Sequence, residues 1–164
     1  MSTQETVNLW LHDYAQAEGI EQLQLDEAGV CGISYLDGGE RRVFTIEGPA
    51  HGDSFFLTGE VAECDAQGRE TLLARALAAN LDGEATRGAA FALDGTRLVL
   101  CYREVVSKCD AVAFGNTVNN FVAVLDQQRR RFGEWVEPES QSGISPVDAG
   151  SSFFPNAPHL MQFA

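Results

Sequence analysis

Residues 69–105, RETLLARALAANLDGEATRGAAFALDGTRLVLCYREV, decide the fold. In the first half, Leu72, Leu73, Ala76, Leu77 and Leu81 recur at helical spacing among strong helix formers, which predicts an amphipathic helix that Gly83 ends. The second half reads as two strands, GAAFALDG and TRLVLCYREV, and Asp94-Gly95 between them is the dipeptide most typical of a tight hairpin. The helix is rich in alanine. Ala74, Ala76, Ala78 and Ala79 let another backbone come close, which suits packing on a sheet or on a second copy of the chain.

Working outward toward the start, Ser2 followed by Glu5 is a capping-box arrangement ahead of Val7, Trp10, Leu11 and Tyr14 at helical spacing, with Gly19 as a stop. A helix over about residues 3–18 is expected. GVCGISYL, RRVFTIEG and SFFLTGEVA then read as three strands separated by turn formers. Links this short exclude parallel crossovers, so the strands should form an antiparallel meander. Alternation puts Cys31, Ile33 and Tyr35 on one face, Phe44 and Ile46 on one face of the next strand, and Phe55, Leu57 and Val61 on one face of the third.

Toward the end, Phe114, Val118, Phe121, Val122, Leu125 and Phe132 give a last helix over about residues 110–132, capped by Asp110 and stopped by Gly133. Arg129, Arg130 and Arg131 fall in its final turns, where cations favour the negative end of the macrodipole. Successive helical residues point about 100° apart, so at least one arginine should lie along the flank of the apolar stripe. From Glu134 onward Pro, Ser and Gly are frequent, with four acids and neither Lys nor Arg. Residues 1–135 are therefore read as one α+β domain, and 136–164 as an acidic tail without a core of its own.

The chain has 164 residues with 24 Asp and Glu against 11 Lys and Arg, a formal net charge of −13. Such a surface repels nucleic-acid phosphates and anionic membranes, because binding either depends on clustered cations. No apolar run approaches the roughly 20 residues of a bilayer crossing, and the polar start lacks the pattern of a signal peptide, so a cytoplasmic protein is expected. Cys31, Cys64, Cys101 and Cys109 are widely spaced and read as reduced, mostly buried cysteines.

Candidate chemistry is sparse. His12, His51 and His159 show no spacing that would gather metal ligands on one element, and the glycine pairs do not precede helices, so neither a metal nor a cofactor is expected. Gly52-Asp53-Ser54 resembles the nucleophile block of the GDSL hydrolases, but Asn156 stands where that family's orienting Asp would be. Cys109, after Lys108 and at a helix start, could be a low-pKa thiol, although packing is the plainer role. The more telling feature is surplus apolar surface. Val43, Phe56 and Val99 fall on the sheet face opposite the main stripes, and Trp10 is read at the edge of the first helix. These four are candidate partner-binding residues.

The order of helix, three strands, helix, two strands, helix resembles that of the class I type III secretion chaperones, the Tir chaperone family. The resemblance rests on Leu72-Leu73, Leu77 and Asn80-Leu81, on Gly88 and Phe91 through Asp94, on Val99-Leu100, and on the last helix ending FGEW, and spans roughly residues 3–135. It implies an antiparallel five-stranded sheet with three helices and a cytosolic homodimer in a bacterium. It also implies a catalyst-free role: binding the N-terminal segment of a secreted effector and delivering it to the secretion ATPase. The two-fold interface would then involve Leu72, Leu73, Ala76, Leu77, Phe91 and Leu93. The competing expectations are a small α+β enzyme or ligand-binding domain with Tyr35, Phe44 and His51 lining a pocket, and a protein of the same shape that sequesters a regulator.

Overall fold

The computed structural model describes residues 1–64 and 68–136. Ser2 caps α1 (Thr3–Glu18): its hydroxyl accepts from the Glu5 N–H at 3.2 Å, and the Glu5 carboxylate accepts from the Ser2 N–H at 2.7 Å. The exchange satisfies amides that have no partner inside the helix. Hydrogen bonding from Ser2, its backbone N–H first and then its side chain, also holds the Glu5 carboxyl below its ordinary pKa.

Strands β1 (Val30–Asp37), β2 (Glu40–Glu47) and β3 (Ser54–Glu63) form the expected meander. After α2 (Arg69–Ala79) and a four-residue helix α3 (Gly83–Thr86) come β4 (Ala90–Asp94) and β5 (Arg97–Val105), and a 3-10 turn leads into α4 (Ala111–Val136). All pairings are antiparallel, in the order β1-β2-β3-β5-β4. The β4–β5 hairpin closes through a two-residue loop whose first member, Gly95, takes φ 61, a conformation that explains the glycine.

Both long helices lie on one face of the sheet, and aromatic rings join the layers. Centroids are 6.1 Å apart for Trp10 and Phe55, 5.3 Å for Phe55 and Phe114, 6.0 Å for Phe44 and Phe121, and 5.0 Å for Phe91 and Phe132. Gly59 in β3 permits this closeness: a Cβ there would overlap the Leu125 side chain of α4. Cys31, Ile33, Phe44, Ile46, Phe55, Leu57 and Val61 all join the core, as alternation predicts.

Four differences from expectation have physical reasons. Gly83 does not end α2; Asp82 accepts from the Ala85 N–H at 3.1 Å and caps α3, so the described residues hold four helices where three were expected. The buried line of α2 is Leu72, Ala76 and Ala79, leaving Leu77 68% and Leu81 90% exposed, because the helix lies beside β4 and presents only its i, i+4, i+7 line to the core. Helix α4 runs through Gly133 to Val136, since one interior glycine costs only about 1 kcal/mol. The arginines therefore precede its last turn, and the macrodipole is not what places them. Trp10 is 7% exposed and packed among Phe55 and Phe114, so it is a core residue and not surplus surface.

The proposed tail, 136–164, lies outside the described residues except for Val136 at its start.

Candidate partner-binding surface

The sheet face away from α1 and α4 is built by register. Thr45, Thr58, Cys101 and Ala90 form one row across β2, β3, β5 and β4. On one side lies the row Glu47, Phe56 and Arg103; on the other, Glu60, Val99 and Ala92. Val43 faces the same way beside Ser34 of β1. None of Val43, Phe56, Val99 or Cys101 belongs to the core cluster. Exposure differs among them: Val43 is 49% exposed and Phe56 partly exposed, whereas Val99 is only 7% exposed. The register thus brings together three of the four residues singled out as partner-binding, and Trp10 stands on the other side of the sheet.

The two sheet edges differ. At β4, the Asn80 carboxamide accepts from the Phe91 N–H at 2.6 Å and donates to the Phe91 carbonyl at 3.2 Å. Asn80 copies one rung of a strand and stoppers that edge. At β1, Asp26 does the same for the first position only: its backbone N–H donates to the Val30 carbonyl and its carboxylate accepts from the Val30 N–H, at 2.8 and 2.9 Å. Ladder alternation then turns the backbone groups of Gly32, Ser34 and Leu36 outward from β2, and all three residues are exposed, Leu36 at 75%.

A second apolar feature separates α2 from β4. Leu73, Ala76, Leu77, Phe91, Leu93 and Leu98 line a groove of about 220 Å³, with Leu77 and Leu93 at its rim. Five of the six residues expected at a two-fold interface meet here. The sixth, Leu72, faces the core, and Ala76 and Phe91 form the groove's floor with 2% and 7% exposure.

A buried polar cluster that periodicity did not reveal ties α4 to β1, β2 and β3. Arg129, with 9% of its side chain exposed, donates from Nε to the Glu60 carbonyl at 2.7 Å and from Nη2 to the Val43 carbonyl at 3.3 Å. Its Nη1 lies 2.6 Å from the Tyr35 hydroxyl and 3.3 Å from the Asp126 carboxylate, to which Tyr35 donates at 2.5 Å. Glu60 lies at the bulge where β3 shifts register against β5, which frees its carbonyl for the helix. The only sequence signal was the arginine run: one of the three had to flank the stripe, and it is Arg129. Burial first, then the hydrogen bond to Asp126, pushes the Tyr35 hydroxyl well above its ordinary pKa.

The sites considered for catalysis do not assemble. Ser54 is 4% exposed, donates to Asp53 and accepts from Arg103, while His51 is exposed on the β2–β3 loop. Phe44 is 2% exposed in the core and Tyr35 is engaged with Asp126 and Arg129, so neither lines a pocket with His51. Burial, then Glu104 and Asp110, push the Cys109 thiol up, opposite to a reactive cysteine. Among the described residues no group of three or more His, Cys, Asp or Glu could hold a metal, and no helix is long and apolar enough to cross a membrane.

Comparison with known proteins follows the same lines. A structure of the ExsC–ExsE complex contains a chain that matches with TM-score 0.66 and 20% identity, over 86% of this chain and 100% of the other. A chain in the HopA1–SchA chaperone–effector complex matches with TM-score 0.57 and 19% identity, over 78% and 96%. A chain in the heterodimeric ExoU–SpcU complex from the type III secretion system of Pseudomonas aeruginosa matches with TM-score 0.54 and 18% identity, over 80% and 98%. At these identities the likeness is one of fold. A search of curated proteins gave no significant match. The model of the Tir chaperone protein (CesT) family matches residues 10–129, from the core tryptophan of α1 to the arginine that ties α4 to the sheet, and the chain belongs to that family.

Proposed function

We propose that this protein is a bacterial cytosolic chaperone that binds the N-terminal region of a type III secretion effector, keeps it soluble and delivers it to the export apparatus. The observation that carries the reading is the asymmetry of the sheet. One face is filled by helices; the other offers Val43 and Phe56 over rows of threonine, alanine and cysteine, beside a β1 edge open at Gly32, Ser34 and Leu36. An extended segment could add a strand to that edge, with main-chain bonds giving affinity and side chains reaching onto the outer face giving selectivity. Family membership and the chaperone–effector neighbours support this use. The net charge of −13 would keep a loaded complex soluble.

The working unit is a homodimer joined across the α2–β4 groove, with Leu73, Leu77 and Leu93 meeting their symmetry copies and Phe91, Ala76 and Leu72 supporting them from below. The chain catalyses no reaction and uses no cofactor in this role, and hand-over involves the secretion ATPase. Co-purification from the native cytosol is the test. Capture of one protein through its N-terminal region, lost in Val43→Glu and Phe56→Glu while folding is retained, is the expected result. Capture unaffected by either substitution, or a small metabolite in place of a protein, would overturn the reading. A transcription factor as the captured protein would identify the chain as a regulator-sequestering member of the family.

A further inference from the structure

The open β1 edge carries side-chain chemistry as well as free backbone groups. Gly32, Ser34 and Leu36 lie on the outer face, opposite Thr45, Val43 and Arg41 of β2 in that order. Asp26 occupies the outward groups of Val30 at one end, and the chain turns into β2 through Gly38-Gly39 at the other. An added strand therefore meets three outward positions in a fixed register. Gly32 leaves a notch, since a Cβ built there would meet nothing within 4 Å, and Leu36 is 75% exposed. Between them lies a cation. The Arg41 guanidinium reaches diagonally from its place opposite Leu36 and donates from Nη2 to the Ser34 hydroxyl at 3.3 Å. That bond stations the charge over the edge strand with most of its five N–H donors unused. Arg42, Arg97, Arg103 and Arg130 each pair with an acid, whereas Arg41 has none within salt-bridge distance among the described residues. On the same face Glu60 is paired with Arg97 at 3.7 Å, and Glu47, opposite Val30, stands about 20 Å from Arg41 along β2. Asp37 and Glu40 project to the helix face by alternation and pair with Arg130 and Arg42.

We infer that Arg41 is a specificity-determining residue of this edge, and that the segment added to β1 carries an acid opposite Ser34 with a large apolar residue two positions to either side. The apolar residue across Gly32 fills the notch, as aromatic side chains do over edge glycines, and its counterpart covers Leu36 as a cross-strand pair. The acid meets the unused donors of Arg41. The pattern apolar-x-acid-x-apolar is the same in both directions, so it holds for either strand polarity. The inference rests on the reading of the β1 edge as the effector's strand site and names the segment which that site takes. It also runs against the overall field. A chain of net charge −13 repels acidic ligands, so a preference for acid at this edge requires a local cation.

The test titrates the isotope-labelled full chain with the acetylated and amidated peptide Thr-Phe-Thr-Glu-Thr-Leu-Thr, and with forms carrying Gln or Lys in place of Glu. Amide shifts report both affinity and place. The Glu form should bind about three- to fivefold more tightly than the Gln form, the size of an exposed ion pair, with shifts centred on Gly32, Ser34 and Leu36. The ratio should fall to about one in Arg41→Gln and turn in favour of the Lys form in Arg41→Glu. Arg41 is exposed, so neither substitution disturbs the fold. Raising the salt concentration should bring the ratio toward one in the unaltered chain. Equal affinity for the Glu and Gln forms, a preference that survives Arg41→Gln, shifts centred on the α2–β4 groove, or no binding of the Glu form would each overturn the inference. No effector is used, so such a result leaves the chaperone reading standing. An Arg41-dependent preference for Glu without capture of any protein from the cytosol would instead sink that reading alone.

Discussion

At the scale of single residues the molecule turns on Arg129, whose guanidinium meets two strand carbonyls, a tyrosine and an aspartate with 9% of its side chain exposed. Removing one member of a buried pair leaves the other charge uncompensated. Arg129→Met is therefore expected to lower stability by about 3–5 kcal/mol, measured as a shift in the denaturant midpoint. Arg129→Lys should recover only part of it, because an ammonium cannot span the fork of acceptors. Tyr35 supplies a pH signature. Its hydroxyl pKa is raised in the folded state, by burial and by donation to Asp126. The folded form thus holds the proton more tightly, and this contribution is complete below the ordinary value of 10.0 and is lost as pH rises above it. Alkaline titration of tyrosinate absorbance should lose one late-ionising group in Tyr35→Phe and keep that of Tyr102, which burial and Glu104 push up to about 12; an unchanged titration would show that Tyr35 is not late.

Elements show why some of this was legible and some not. The capping box at Ser2 and Glu5, the alternation in β1–β3, the Asp94-Gly95 hairpin and the apolar stripe of α4 are local rules, and all four appear where spacing predicts them. Which line of α2 turns inward is not local. It depends on that helix lying beside β4, which Asn80 fixes with its two bonds to Phe91. The placement of Trp10 likewise follows from α1 and α4 sharing one face, where Phe55 and Phe114 enclose it. That Val43, Phe56 and Val99 share the outer sheet face was legible because strand period is strict; their different exposures depend on neighbours and were not. Two element-scale predictions follow from close fits. Gly59→Ala would drive a Cβ into Leu125 and push α4 off β3, costing about 1–3 kcal/mol, read from thermal or denaturant unfolding. Asn80→Ala orphans the outward groups of Phe91 and should cost about 1–3 kcal/mol. It should also speed amide exchange in β4 more than in β1, since β1 is the edge that is already open.

For the whole molecule, the question is how one small sheet divides its surfaces. Helices occupy one face, Asn80 stoppers the β4 edge, and the apolar features of the described residues include the outer face, the β1 edge and the α2–β4 groove. Assigning the groove to self-association and the outer face to partners keeps the two from competing, so effector capture and dimerisation should respond to different substitutions. The groove also shows which substitution tests it cleanly. Phe91→Asp is a poor probe, because Phe91 is 7% exposed and stacks with Phe132 at 5.0 Å, so a charge there should unfold the chain. Leu77 is 68% exposed, so Leu77→Asp costs the monomer little. In a two-fold contact it places an unpaired carboxylate near its own copy, a loss of roughly 3 kcal/mol or more and a weakening of the dimer by more than about a hundredfold. Light scattering after size exclusion should therefore find the unaltered chain dimeric and Leu77→Asp monomeric, with the same circular dichroism. A dimer that survives both Leu77→Asp and Leu73→Asp would place the two-fold contact on another surface. The outer face would then be the next candidate, and Val43→Glu should lower the mass.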